Sequence, residues 1–302
     1  MKKLKVAIFG STGHIGKNLV NHFLKNDNYE MYLFSRNIKS IKSTLDNYEK
    51  TNVKINNYEE FDSCKLDVII NCIGIGDPQK IMNNAEELQR ITERYDEKIL
   101  SYLMNAPDSL YINMSSGAVY GEDFPEGVNE NSKIKYIKNN SYNNTKIFVE
   151  EKHRKLLNRN IVDLRIFNFF SRYINLDYSF FISEIIKSIK NKTEFITNNV
   201  DITRDFIHPS DLFNLIEKCI KKNTINDVFD VYSKKPISKF EILNYFNKEF
   251  NLKFQIVDKA MKISPTGIKK NYFSNSKKSS KIGYNPEFTS LQTIQDEIKF
   301  LL

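Results

Sequence analysis

The run Gly10-Ser11-Thr12-Gly13-His14-Ile15-Gly16 constrains this chain more than any other segment. It follows the apolar stretch 4–9 and opens a stretch, 15–25, that reads as a helix. Strand, glycine turn and helix in that order form the first βα unit of a parallel sheet. Such a turn aims backbone N–H groups and a helix N-terminus at a pyrophosphate, and its glycines let a ligand approach the backbone closely. A purely structural βα connection is the other owner of such a turn, and the turn alone does not separate the two.

The rest of the chain extends the βα rhythm. Strands are expected at 6–9, 31–34, 68–72, 110–114 and 162–167, with helices at 15–25, 85–104 and 143–158 between them. This alternation predicts an α/β fold: a Rossmann-type doubly wound parallel sheet with helices on both faces. Leu88, Ile91, Tyr95, Ile99 and Tyr102 recur at helical spacing, as core residues or in part as a dimer face. After 168 the rhythm loosens into helices at 180–190, 210–221 and 238–250 with short strands between, an exposed loop at 277–281 and a closing helix at 289–302. The expected division is a dinucleotide-binding domain, 1–168, and a smaller α/β substrate-binding region, 169–302, with some segments returning to the first.

Composition removes several function classes. No apolar run approaches the about 20 residues that span a bilayer, and Met1-Lys2-Lys3 leads into a first strand rather than a signal peptide. A cytoplasmic protein without a membrane partner is expected. Cys64, Cys72 and Cys219 have no CxxC spacing, so reduced thiols and no metal are expected. The net charge of +8 has two readings, attraction to an anion or a lysine-rich background. The lysines are scattered without an aromatic-interleaved stripe, which argues against a nucleic acid polymer. A phosphorylated small molecule would still gain from the field.

The second strand, Met31-Tyr32-Leu33-Phe34, ends in Ser35-Arg36-Asn37. A carboxylate there would hold the ribose hydroxyls of NAD, and an arginine pairs with the extra phosphate of NADP. Ser35 and Arg36 therefore point to NADP(H), with NAD still possible; the competing reading makes Arg36 a solvated loop residue. Tyr142 and Lys146, four apart, share one face of a helix. An ammonium lowers a phenol's pKa and lets it exchange a proton with a carbonyl or alcohol. Ser116, at a strand end, can hydrogen-bond the same oxygen.

Together these segments resemble the extended short-chain dehydrogenase/reductase family, the branch of nucleotide-sugar epimerases, dehydratases and reductases. The matching pieces are Gly10-x-x-Gly13-x-x-Gly16, Asn71-Cys72-Ile73-Gly74, Ser115-Ser116-Gly117-Ala118-Val119-Tyr120-Gly121, Tyr142-x-x-x-Lys146, Arg165-Ile166-Phe167-Asn168 and Arg204-Asp205-Phe206-Ile207-His208-Pro209-Ser210-Asp211. Gly283-Tyr284-Asn285-Pro286 is similar to the family's closing loop. The resemblance implies that Gly10, Thr12, Gly13, His14, Ile15 and Gly16 hold the pyrophosphate. It implies that Ser35 and Arg36 take the adenosine phosphate and that Cys72, Ile73 and Gly74 line the nicotinamide ribose. Ser116, Tyr142 and Lys146 would be catalytic, with Tyr142 and Lys146 also touching cofactor. Ser116, Gly117, Asn168 and Arg204 would face a nucleotide-sugar substrate. Asn168 also reads as a turn residue, Arg204 as an ion-pair partner of Asp201 or Asp205, and His208 as structural.

Departures from the family pattern narrow the reaction. Family dehydratases carry acids where this chain has Gly117-Ala118, which argues against 4,6-dehydration. A cysteine beside the serine marks double epimerisation, and Gly117 stands there instead. No arginine follows Arg204, so Lys269 or Lys270 would have to stand in for the family's second phosphate-binding arginine. The expected activity is NADPH-dependent reduction of a nucleotide-linked 4-keto-6-deoxy sugar, by a homodimer serving surface polysaccharide synthesis. The alternatives are a 4-epimerase with tightly bound NAD and a non-catalytic dinucleotide sensor on the same fold.

Overall fold

The structure, a computed structural model, describes residues 2–45, 52–74, 81, 84–121, 124–258 and 269–302. Met1 of the N-terminal reading lies outside them. The first strands are β1 (Leu4–Phe9), β2 (Tyr29–Phe34), β3 (Val53–Asn56), β4 (Val68–Asn71), β5 (Leu110–Ser116) and β6 (Asn160–Ile166). Short strands follow: β7 (Asn168–Phe169), β8 (Phe195–Thr197), β9 (Thr203–Arg204) and β10 (Phe206–Ile207). After these come β11 (Asn226–Val231), β12 (Ile237–Ser238), β13 (Phe254–Ile256) and β14 (Asn271–Tyr272). The α-helices among the described residues are α1 (His14–Phe23), α2 (Ile38–Leu45), α3 (Ala85–Asn105), α4 (Ser141–Lys155), α5 (Phe181–Asn191), α6 (Pro209–Ile220), α7 (Lys239–Phe250) and α8 (Ser290–Ile298).

Seven strands form one sheet in the order β3-β2-β1-β4-β5-β6-β11, and every neighbouring pair is parallel. Side chains alternate between the faces of a strand, so a sheet buried on both sides needs apolar residues at nearly every position. In β1, Val6 and Ile8 enter one core cluster and Ala7 and Phe9 the other. Leu19 and Phe23 of α1 and Leu212 and Leu215 of α6 cover the first face; Ile99 and Leu103 of α3 cover the second. A separate cluster packs α5, α7 and α8 through Ile185, Phe246 and Ile294.

The expected doubly wound sheet is present; β1, β2, β5 and β6 are longer than the apolar runs suggested and β4 is one residue shorter. β3 was not expected, and β11, where only a short strand was expected, joins the main sheet. β3 has only four residues, and β11 carries Asp227 and Asp230 within it. Asp230 is nevertheless buried, accepting from Tyr120 and Ser274. The loop expected at 277–281 is corrected: Lys278–Ile282 form a 3-10 helix, Ser279 is buried, and Lys278 pairs with Asp227. Lys277, Ser280 and Lys281 are exposed as expected, while Lys278 and Ser279 make contacts with β11. Of the five residues spaced along α3, Leu88 and Ile99 are core, whereas Ile91, Tyr95 and Tyr102 are half-buried.

The strand order reverses between β1 and β4, and such a switch point leaves a crevice beyond the strands' C-terminal ends. Gly10 follows β1 and Cys72 follows β4 there, and the Cys72 amide donates to the Phe9 carbonyl at 3.0 Å.

Candidate functional site

The glycine turn is built so tightly that side chains do not fit. Gly10 has φ +70°, and a Cβ on it would lie 3.0 Å from the Cys72 carbonyl. A Cβ on Gly16 would lie 2.2 Å from the Gly10 oxygen, so α1 starts in contact with the turn only because residue 16 is glycine. Gly13 is the N-cap of α1, with no side chain capping the helix and no acid in its first turn. The uncapped amides and the positive end of the helix fit a pyrophosphate. Thr12 Oγ1 lies 3.3 Å from Ser35 Oγ. The side chains of His14 and Ile15 point elsewhere: His14 Nε2 bonds Ser171 Oγ at 2.8 Å, and Ile15 packs against the core. Burial pushes the His14 imidazole down to about 4, so it is neutral.

At the end of β2, Ser35 is buried and Arg36 is exposed; among the described residues Arg36 makes no hydrogen bond or ion pair. After β4, Asn71 Oδ1 accepts from the Ile73 amide at 3.0 Å. Gly74 is exposed, with open space where a Cβ would stand. Burial pushes the Cys72 thiol up to about 12, which leaves it a protonated lining residue and not a nucleophile.

Ser116 ends β5, and its Oγ accepts from the Ala118 amide at 3.1 Å. Tyr142, on α4, stands beside Ser116. The Lys146 ammonium, one turn on, donates to the Met114 carbonyl at 2.8 Å. The three expected residues are thus brought together, but their electrostatics correct the expectation. Burial raises the Tyr142 phenol above its ordinary value, and Ser116 offsets only part of this. Burial also lowers the Lys146 amine, against the pull of Asp163, Glu150 and Asp96. The phenol is therefore a protonated acid here, because desolvation outweighs the ammonium one turn away.

Sequence reasoning missed Tyr272. Its hydroxyl lies 3.2 Å from Ser116 Oγ, placing a second phenol on the serine. Ser116 Oγ also accepts from the Ala118 amide, so its bond to Tyr272 uses part of the capacity that remains for a substrate oxygen. No local signal marks Tyr272, because it arrives through the pairing of β14 with β9, in register with Arg204.

On the substrate side, a Cβ on Gly117 would lie 2.5 Å from the Phe167 ring. The Nδ2 of Asn168 is enclosed and has no hydrogen-bond partner. An unpaired buried amide is costly, and an anionic ligand would satisfy it. Arg204 donates to the carbonyls of Thr203, Lys269 and Lys270, and its guanidinium lies 5.9 Å from the Tyr272 ring centre. Lys269 is buried, with Nζ 4.8 Å from the same ring. The remainder of the Arg204–Asp211 segment is architectural. Asp205 accepts from Ser233 and Ser290, Asp211 from the Glu287 and Phe288 amides, and His208 caps α6 and stacks on Phe288 at 3.7 Å.

Comparison with known proteins agrees with this fold. The chain belongs to the NAD dependent epimerase/dehydratase family, whose model matches residues 6–232. It is 23% identical to an uncharacterized protein of Methanocaldococcus jannaschii, over 96% of this chain and 93% of that one. Among solved structures it is similar to a UDP-N-acetylglucosamine 4-epimerase from Methanobrevibacter ruminantium in complex with UDP-N-acetylmuramic acid (TM-score 0.83, 17% identity, 99% of this chain and 98% of that chain). A UDP-glucuronic acid 4-epimerase from Bacillus cereus, with UDP-glucuronic acid and NAD, gives 0.83 at 19% identity over 99% of both. A dTDP-glucose 4,6-dehydratase from Bacillus anthracis, with NAD, gives 0.80 at 15% identity over 98% and 96%. No helix among the described residues is long and apolar enough to cross a membrane.

Proposed function

We propose that the protein is an NADPH-dependent reductase that converts the keto group of a nucleotide-linked 4-keto-6-deoxy sugar to a hydroxyl. The observation carrying this reading is the end of β2. Arg36 stands exposed and without a hydrogen-bonding or ion-pairing partner among the described residues, and no carboxylate stands beside it. A guanidinium there suits the 2′-phosphate of NADP and leaves the ribose of NAD without its acidic partner. When bound, the reduced nicotinamide supplies a hydride. Gly13 and the first turn of α1 hold the pyrophosphate, and Ile73 and Gly74 line the ribose. Ser116 orients the substrate oxygen, Tyr142 gives it a proton, and Lys146 binds ribose hydroxyls. Asn168, Arg204 and Lys269 face the substrate's diphosphate, and region 169–302 covers the sugar. The raised phenol of Tyr142 supports proton donation, and the Phe167 ring over Gly117 supports the absence of dehydration.

The test follows reduced-nicotinamide absorbance with purified protein, NADPH and dTDP- and GDP-4-keto-6-deoxyhexoses. Stoichiometric loss of NADPH is expected with one of the two; no loss with either defeats the reductase reading. The second reading is a 4-epimerase, favoured by the NAD held in similar solved structures and served equally by Ser116 and Tyr142. NAD recovered from the denatured protein, with no NADPH consumption, would establish it.

A homodimer is part of the proposal. Met104 on α3, Phe148 on α4 and Leu157, just past the end of α4, are exposed, and paired helices would cover them. Light scattering at working concentration is expected to give twice the chain mass; a monomer refutes it.

A further inference from the structure

Beneath the sheet lies a polar network that the reaction proposed above does not use. The Ile73 amide donates to Asn71 Oδ1 at 3.0 Å, and Asn71 Nδ2 donates to the Tyr111 hydroxyl at 3.1 Å. The Tyr111 hydroxyl then donates to Asp96 Oδ1 at 3.0 Å. The direction of every link is forced. An amide N–H can only donate, which fixes the Asn71 side chain, and the Asn71 amine then leaves the Tyr111 proton for the carboxylate. The chain ends on His153, whose Nε2 lies 2.7 Å from Asp96 Oδ1 and whose Nδ1 lies 3.0 Å from Asp163. With a carboxylate on each ring nitrogen the imidazole carries both protons, since a neutral ring would set a lone pair against an anion. Lys152 Nζ lies 2.5 Å from Asp96 Oδ2, adding a second cation. Tyr111, His153, Asp96 and Asn71 are all buried.

We propose that Tyr111 and Asp96, anchored by His153, are positioning residues that hold the loop 72–74 in the shape that seats the nicotinamide half of the cofactor. The proposal rests on the reading of Ile73 and Gly74 as the lining of the nicotinamide ribose. Among the described residues, the Asn71 bond to Ile73 is the one side-chain hydrogen bond this loop receives. The loop leaves β4 at the switch point, against Gly10, so its amide orientation sets how the ribose meets the sheet. Aligned bonds polarise one another in a low-dielectric interior, and here the polarisation runs from the Ile73 amide to a carboxylate held anionic by two cations. The adenosine half lies across the glycine turn, against Ser35 and Arg36, and owes this chain nothing.

That asymmetry is measurable without turnover. Calorimetry would compare NADPH with 2′-phospho-ADP, and NADH with ADP, fragments that lack the nicotinamide and its ribose, on the full-length protein and on Tyr111→Phe, which removes one oxygen and keeps the ring. Loss of one such bond is expected to weaken the complete cofactor about fivefold to tenfold, with the adenosine fragment within about twofold. Fragment binding also certifies the fold. Asp96→Asn keeps an acceptor for Tyr111 and loses the charge, and is expected to give the same pattern with a smaller effect. Equal weakening of cofactor and fragment, or no weakening of either, overturns the proposal. Failure of the unaltered protein to bind any of the four probes overturns the cofactor reading and this proposal with it.

Discussion

Replacing Tyr142 with phenylalanine is expected to cut turnover about 100-fold or more while NADPH binds nearly as tightly as before. The geometry gives the reason for both halves. The phenol stands beside Ser116, and burial holds its proton on, so it is the acid expected to serve the substrate oxygen. Phenylalanine keeps the ring that packs α4 and removes only that proton. The pyrophosphate turn at Gly10–Gly16 and the β2 end at Arg36 lie outside the substitution, so cofactor affinity is preserved. Tyr272 is the residue that can spoil this outcome, because its hydroxyl is already 3.2 Å from Ser116 Oγ. Steady-state kinetics beside a cofactor titration decide the matter. Turnover within about threefold of the unaltered enzyme would remove Tyr142 from the chemistry, and a further loss on replacing Tyr272 would transfer the role there.

The parts of this site that were legible in the sequence are those whose chemistry is local. The Gly10–Gly16 turn could be read because strand, turn and helix are adjacent, and Gly13 and Gly16 answer to Gly10 a few residues away, whereas the Cys72 backbone against Gly10 comes from 62 positions on. Tyr142 and Lys146 could be paired because helical spacing puts them on one face. Ser35-Arg36 was legible because the end of β2 follows directly from its apolar run. What was not legible arrives from far along the chain. Tyr272 reaches Ser116 across 156 positions, and its approach depends on two-residue strands that no periodicity announces. The reason Gly117 is glycine is the Phe167 ring, visible only once β6 lies beside β5. The phenol's raised pKa was misjudged for a related reason: residue spacing reports the proximity of an ammonium and not the depth of burial. The place of β11 in the main sheet was hidden by its own aspartates, since Asp230 is in the core only because Tyr120, Ser274 and Arg165 converge on it from three other segments.

Asp163 is where the largest loss of stability is expected. It is fully buried on β6 and accepts from His153 at 3.0 Å, Arg154 at 2.8 Å and Asn113 at 2.7 Å. Burial opposes its ionisation, but His153 and Arg154 outweigh burial and hold the carboxyl below its usual range. In return, burial works against the charge of His153 while Asp163 and Asp96 overcome it and raise the imidazole to about 9. Asp163→Asn keeps the shape and removes the charge, leaving the buried His153 cation and the half-buried Arg154 facing an amide. Removing one partner of a buried pair costs about 3–5 kcal/mol, a large share of the roughly 5–15 kcal/mol that holds a domain folded. The loss depends on pH with a definite sign. The folded pKa of His153 lies above the ordinary 6.5, so its contribution is complete below that value and disappears as pH rises through about 9. Asp163 works oppositely, contributing above the ordinary carboxylate value and losing its share as acid protonates it. Urea unfolding of both proteins at pH near 6 and again above 9 is expected to show a wide gap in stability at the lower pH and a narrower one at the higher. A gap that stays constant across that range, or one below about 1 kcal/mol, typical of exposed pairs, would mean that His153 does not depend on Asp163 for its charge.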